Sequence, residues 1–370
     1  MHRTWAIIER ELRRFRKSPM LIVMSMIFPL LNLIVLGYAF GGNVKHLKLA
    51  IVDQDGGVPA VKIKELAAAV SSGARTLDII DYADQGHAMS DLRNGLVNGV
   101  LTIPPDFSRR SLANNQPRVA LISDNTDTFV SATLTGTVGN FVAAINAPAT
   151  PVRVEGATGL DVVEVYPYVP YIQYLLPGSI TMSIFMMVMI GGGIIFIDDK
   201  SRGLHEGYLV TPITKLELVA GFNLSGTIKA VLAGGCIMVV GSLIAGVPSP
   251  LDPIRLLRML IVVAITAFAL ISLMFLLMVR VTDPLLPRAT FGVLNTVLYF
   301  PSGAVYPQAG FPGWMKVIAA VDPFTYAVHA FKSLLLKNTG FDAIAGDVLF
   351  LLVFSTIAMT AGTLLFKRTL

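Results

Sequence analysis

Six long apolar runs divide the chain: Pro19–Phe40, Leu176–Ile197, Ser225–Val247, Met259–Val279, Ala289–Tyr306 and Val348–Phe366. Each is close to the ~20 residues a helix needs to cross roughly 30 Å of hydrocarbon. Together they cover 125 residues and contain one formal charge, Lys229. The fifth run is interrupted near its end by Pro301 and Gly303. It reads either as a full span or as a broken, re-entrant one, which is tolerated only where protein or a cavity covers the exposed backbone.

Between the first two runs the pattern changes. Residues 41–174 carry 10 Lys/Arg and 13 Asp/Glu, a soluble composition. Leu47–Asp53 predicts a strand ending in Asp-Gln-Asp-Gly-Gly, which is turn chemistry. Ile63, Leu66, Ala67 and Val70 recur at helical spacing within Pro59–Ser71. A strand at Thr76–Tyr82 follows, then a helix with Met89, Leu92 and Leu96 on one face. Gly99–Ile103 and Val119–Ser123 predict two more strands, and Val130, Leu134, Val138 and Phe141 mark one side of a longer helix. Strands alternating with helices predict a small α/β domain.

Two further segments carry a pattern of their own. At the N-terminus, Trp5, Ile8, Leu12 and Phe15 share a helical face, with Arg10, Arg13, Arg14 and Lys17 elsewhere. This predicts a basic amphipathic helix at residues 1–18 lying in the membrane interface. It is either a topology signal or a surface helix that also docks a partner. The second segment, 198–215, is polar at first and then apolar at Tyr208, Leu209 and Val210. Pro212 ends it by removing an N–H and pushing Thr211 toward extended backbone. A short helix presenting apolar side chains there requires cover by lipid or a partner.

Composition narrows the class. Hydrophobic residues are 54% and charged residues 14% of the 370, against about 25% charged in soluble domains, and mean hydropathy is +0.67. A soluble enzyme is excluded. The net charge of +5 reflects basic residues concentrated on one side of the membrane, with no call for nucleic acid. With the N-terminus inside, segments 1–18, 198–224, 280–288 and 367–370 hold 13 Lys/Arg in 58 residues, and loops 248–258 and 307–347 hold five in 52. The excess of positive charge on the cytoplasmic side predicts six spans with both termini cytoplasmic. The first run is longer than a secretory h-region and lacks an A-x-A site, so it reads as an uncleaved anchor.

The expected architecture is an α-helical integral membrane protein with six transmembrane helices and an inserted small α/β extracytoplasmic domain. Its parts are an interfacial helix (1–18), a first span (19–40), the α/β domain (41–174) and a five-helix transmembrane domain (175–370).

No catalytic constellation emerges. Cys236 is the single cysteine, the five histidines are scattered, and G-x-G-x-x-G and G-x-x-x-x-G-K-[ST] are both absent. Asp124-Asn125-Thr126-Asp127 lacks calcium-loop spacing, so the acidic turns read as solvated loops. Lys229 lies near one end of its span, where its stem would carry the ammonium back to the interface. Asn32 and Asn295 are expected to hydrogen-bond between helices. Gly191-Gly192-Gly193 allows either close backbone approach or a bend.

Gly203-x-x-Glu206-x-x-Leu209-x-Thr211-Pro212, directly after the second run, resembles the signature of type-2 ATP-binding-cassette (ABC) transporter permeases. Pro301-Ser302-Gly303, Pro307, Phe311-Pro312-x-Trp314 and Asp322-Pro323-Phe324-Thr325-Tyr326 resemble the proline-punctuated re-entrant pair that follows in that family. The strand ending Val-Asp-x-Asp after one span is similar to a subgroup with a large outer domain, of bacterial multidrug export type. Leu204, Asp199-Lys200 and Phe222 depart from residues common in the family.

The resemblance implies a bacterial inner-membrane permease that dimerises with itself or a paralogue and docks a separate cytoplasmic P-loop ATPase. ATP and Mg would then reside on the ATPase, and this chain would bind no cofactor or metal. It implies a coupling helix at 198–215, a re-entrant segment at 307–336, and an ATPase contact formed by Trp5, Arg13, Gly203, Glu206, Leu209, Thr211 and Pro212. Glu206 is the first candidate for an ion pair there. For the substrate path it favours the second and fifth spans. Met182, Met186 and Met189 share one face of the second, and polarizable methionine suits varied apolar ligands; packing is the other reading of that stripe. Asn32 and Asn295 are the remaining path candidates. Few charges in the spans fit a hydrophobic or amphipathic cargo, exported by analogy with the family. A periplasmic adaptor is a further partner open to the outer domain. The competing reading is a membrane-anchored receptor or secretion scaffold that uses that domain to bind a protein.

Overall fold

A computed structural model describes residues 2–41, 46–72, 76–113, 115–124, 126, 128–146, 169–194, 213–281, 283 and 285–366. The chain divides into two compact units, one of Met1–Gly41 with Glu164–Leu370 and the other of Gly42–Val163.

The second unit is built on a four-stranded sheet ordered β2-β1-β3-β4, where β1 is Leu47–Asp53, β2 Leu77–Tyr82, β3 Gly99–Ile103 and β4 Ala120–Ser123. β1 pairs in parallel with β2 and β3, and β4 closes the sheet antiparallel to β3. A parallel strand is covered on both faces, and alternation along β1 divides its side chains accordingly. Leu47, Leu49 and Ile51 join Ala60, Ile63, Phe107, Leu134 and Phe141 in one core; Ala50 and Val52 join Ala88, Leu92 and Val100 in another. The helix after β2 runs Gln85–Arg93 and is capped by the Asp84 carboxylate, which accepts from the His87 N–H at 3.1 Å. Gly95, at φ 71°, turns the chain there, so Leu96 leaves the predicted face and is exposed, and Val97 enters the core instead.

The acidic turn after β1 is structured. Asp53 Oδ1 accepts from the Asp55 and Gly56 N–H groups at 3.0 and 2.9 Å. Asp55 accepts from the Ser108 N–H at 3.1 Å and from the Ser108 hydroxyl, joining this turn to the helix Phe107–Leu112. Asp124 forms a second turn by accepting from the Thr126 N–H at 2.9 Å. Among the described residues no group of His, Cys, Asp and Glu could hold a metal ion.

Among the described residues of the first unit, five helices are long and apolar enough to cross a membrane: Ile22–Phe40, Tyr171–Gly192, Lys215–Ile244, Pro253–Met278 and Phe341–Leu365. The run predicted at Ala289–Tyr306 is helical over Leu285–Tyr299, roughly 22 Å at 1.5 Å per residue, and continues as turns. Pro301 supplies no N–H, and Gly303 at φ 82° reverses the chain. Short helices follow at Gly313–Val321 and Pro323–Leu336. The third long helix begins ten residues before the predicted run, because Thr214 and Glu217 form a reciprocal capping box.

The helix Tyr171–Val188 occupies the centre, with nearly every side chain buried. It runs antiparallel to Pro19–Gly41: Gly37 lies against Ile172, and Ser183 against Ser25. Pro29 lacks the N–H that would bond the Ser25 carbonyl, and the Ser183 hydroxyl donates to that carbonyl at 3.5 Å. Helix interruption and interhelical polar contact thus compensate each other.

Candidate functional site

The N-terminal helix, His2–Arg16, packs against the helix Lys215–Ile244. Gly221 is what lets it approach, since a Cβ there would lie 3.0 Å from Ile7. This docking selects a buried stripe of Ile7, Ile8, Glu11 and Phe15. It differs from the predicted stripe. Trp5 is 63% exposed, Leu12 is half-buried, and a carboxylate takes the central buried position. Arg13 lies on the opposite, solvent-facing side and pairs with Glu9 one turn away.

Glu11 has two cationic partners: Arg10 Nη1 reaches its Oε1 at 3.2 Å from the more exposed side, and Lys229 meets it within the bundle. Lys229 Nζ donates to Glu11 Oε2 at 2.9 Å and to the Gly191 carbonyl at 2.9 Å, and lies 5.9 Å from the centroid of the Phe15 ring. The two side chains are 1% and 2% exposed. The expected snorkelling of Lys229 to the interface is therefore corrected: its stem points between helices, toward Gly191, because Glu11 and the Gly191 carbonyl meet it there. That carbonyl belongs to a π-helical turn, Met189–Ile194, which follows directly on the α-helical turns of the central helix. Widening to the i→i+5 pattern disrupts the regular bonding ladder, and such turns are frequent at functional positions. Gly192 within the turn gives Ile271 its place, since a Cβ there would lie 2.2 Å from Ile271 Cδ1. Gly191 and Gly192 thus provide close approach within an altered helical turn.

Beside this pair lies a cavity of about 20 Å³, bordered by Glu11, Gly191, Gly192, Asn223, Ser225 and apolar side chains. That is room for a single water. Both amide atoms of Asn223 are buried without a hydrogen-bond partner, and such a water is the kind of partner they need.

Gly203, Glu206, Leu209, Thr211 and Pro212 all lie outside the described residues, as does most of the 198–215 segment. The path candidates are described. Met182, Met186 and Met189 are all buried, and Met182 and Met189 belong to the main apolar core. Asn32 Oδ1 accepts from the Tyr299 hydroxyl at 3.4 Å, joining the first long helix to Leu285–Tyr299. Asn295, one turn before Tyr299, keeps a buried Oδ1 with no partner. Sequence reasoning did not pair Glu11 with Lys229. The signal available was a carboxylate on the apolar side of a basic helix, together with the only charge within six apolar runs.

The family described as ABC-2 family transporter protein matches residues 19–364. The chain is 22% identical to "Probable multidrug ABC transporter permease YbhR" of Escherichia coli (strain K12), across 99% of both chains. It is 23% identical to "Probable multidrug ABC transporter permease YbhS" of the same organism, across 98% of this chain and 94% of the relative. A third relative, "Daunorubicin resistance ABC transporter permease protein DrrB1" of Streptomyces coeruleorubidus, is 23% identical over 46% of this chain and 60% of its own. The chain belongs to the ABC-2 family of transporter permeases, and membership implies partnership with an ATPase subunit.

Proposed function

We propose that this ABC-2 family chain is the membrane subunit of an ATP-driven exporter for hydrophobic or amphipathic small molecules. It works as a dimer in the bacterial inner membrane with both termini cytoplasmic, six membrane segments counting Leu285–Tyr299, and the α/β unit outside. Each copy docks a separate ATPase, which holds ATP and Mg. The relatives' multidrug and daunorubicin names support the cargo class, as does the near absence of charge from the spans.

The observation that carries the coupling mechanism is the buried contact among Glu11, Lys229 and Gly191. A permease without its own ATPase motif needs a mechanical link from the docking surface to the spans. In this reading the ATPase pair grips the N-terminal helix, through exposed Trp5 and Arg13, and the 198–215 segment through Glu206, Leu209 and Thr211. Closure of the pair displaces the helix. Glu11 carries Lys229 with it, and Lys229 carries the Gly191 carbonyl at the end of the central helix. The π turn is where that helix can rewind without breaking a regular ladder. Energy from ATP shifts the permease only if its two states hold this contact differently.

The test is co-purification from native membrane in mild detergent. Wild type is expected to bring down a stoichiometric P-loop ATPase, and variants altered at Glu206 and Leu209 to lose it. If wild type retained its dimer but captured no ATPase, the coupling reading would fail, and a receptor role for the α/β unit would take its place.

A further inference from the structure

A second polar site lies at the other end of the central helix, residues 174 and 191 being roughly 25 Å apart along its axis. Here a cavity of about 220 Å³ is lined by Tyr174, Ser302, Gln308, Thr325, His329 and Lys332, among others, and none of its lining residues is acidic. Lys332 Nζ donates to the Gly303 carbonyl at 2.6 Å and sits 3.4 Å from the centroid of the Tyr174 ring. No carboxylate lies within ion-pair distance of it among the described residues. The Tyr174 hydroxyl donates to the same carbonyl at 3.3 Å.

Beyond the Gly303 bond and the ring contact, the ammonium keeps N–H capacity for the cavity. His329 lines the same cavity. Its Nδ1 is 2.7 Å from Asp347 Oδ2, which commits that nitrogen and favours the protonated ring, whose Nε2–H is then the donor available to the cavity. Asp322 is buried and occupied in capping the helix that bears both residues, accepting from the Phe324 N–H at 2.9 Å. A partly desolvated ammonium without a counter-charge is costly. An anion would satisfy it.

Size and depth indicate which anion. The cavity is smaller than the ~300–1,000 Å³ typical of drug-sized ligands, and a phosphodiester fits it. The adjoining hairpin exposes Tyr306 and Trp314, at 61% and 66%, residue types that settle at headgroup depth. We infer that the Lys332–His329 cavity binds the phosphate of an anionic phospholipid headgroup and so fastens the 301–336 hairpin to the membrane surface. The inference needs only that the chain is embedded in a membrane; it is independent of cargo, ATPase and transport direction.

The experiment uses full-length protein, delipidated in detergent and titrated with phosphatidylglycerol or phosphatidylcholine, with bound lipid counted by native mass spectrometry. One tightly held phosphatidylglycerol per chain is expected, with phosphatidylcholine weaker because its choline meets Lys332. Lys332→Gln should weaken phosphatidylglycerol by about tenfold, the scale of one charge-assisted hydrogen bond. Lys332→Arg should retain it, and His329→Gln should fall between. Unchanged affinity in Lys332→Gln would overturn the site. Displacement of phosphatidylglycerol by millimolar inorganic phosphate would replace the lipid with a free anion as the occupant. Should Lys332→Gln fail to fold, photo-crosslinkable phosphatidylglycerol on wild type decides: label on the 302–308 or 329–332 peptides supports the inference, and label confined elsewhere refutes it.

Discussion

Lys229 and Glu11 lie 218 positions apart in the chain, yet their charged atoms meet at 2.9 Å with almost no exposure to solvent. A buried ion pair of this kind contributes little net stability, but losing one partner weakens the compensation of a buried charge. The pair is thus better suited to fixing which surfaces meet than to holding the bundle together.

Glu11→Gln alone should therefore destabilise the protein by up to about 3–5 kcal/mol, Lys229→Met should cost less because Arg10 Nη1 still lies 3.2 Å from Glu11 Oε1, and the double replacement Glu11→Met with Lys229→Met should recover most of the larger loss. Thermal unfolding of the detergent-solubilised protein gives the three values. The double variant should hydrolyse ATP with its ATPase but transport poorly. Full transport in a folded double variant would remove the pair from the coupling mechanism.

Close packing makes a second, independent prediction at Gly178. A Cβ there would lie 2.6 Å from Ala304 Cβ and 3.3 Å from its Cα. Neither atom can swing away, so Gly178→Ala should cost about 1–3 kcal/mol through overpacking. Ala304→Gly in the same chain should restore the melting temperature. No rescue would mean that the strain arises elsewhere.

Asn295 tests the substrate path. Its Oδ1 has no partner, so Asn295→Leu forfeits no bond at that atom and should change stability by less than about 1 kcal/mol. If it lines the path, the relative export of apolar and polar cargoes should change several-fold in vesicle transport assays. An unchanged profile with reduced stability would assign Asn295 to packing.

In the α/β unit, the Ser108 hydroxyl, followed by the Ser108 and Gly57 N–H groups, holds the Asp55 carboxyl below the ordinary carboxylate range, outweighing desolvation. A depressed folded value means that the ionised carboxylate contributes stability above the unfolded value, and this is lost as pH falls through the folded one. Hydrogen exchange on the full chain should show the Ser108 and Gly57 amides losing protection below about pH 4, near the unfolded carboxylate value. Asp55→Asn should show reduced protection already at neutral pH. Equal protection in the two proteins would deny Asp55 that role.

Local pattern made much of this molecule legible. β1 and β3 have the bounds that their apolar runs predict, because a strand buried on both faces must be apolar at nearly every position. The long helices follow from hydropathy summed over one segment. Thr214-x-x-Glu217, a capping box, carries the third helix beyond its apolar run, a polar extension that hydropathy alone does not detect. The helix Leu285–Tyr299 stops short because one proline and one left-handed glycine outweigh a favourable average.

By itself the sequence determined the membrane class, the location of the apolar helices, the strands of the α/β unit and the resemblance to ABC permeases. All of these are sums over neighbouring residues. Tertiary structure alone decided that the N-terminal helix buries Glu11 instead of Trp5, that Lys229 turns inward to meet it, and that Lys332 faces a cavity without a carboxylate. The physical reason is that a charge within a helix has no preferred direction until a neighbouring helix presents its counter-charge, and that meeting is set by packing between segments far apart in the chain.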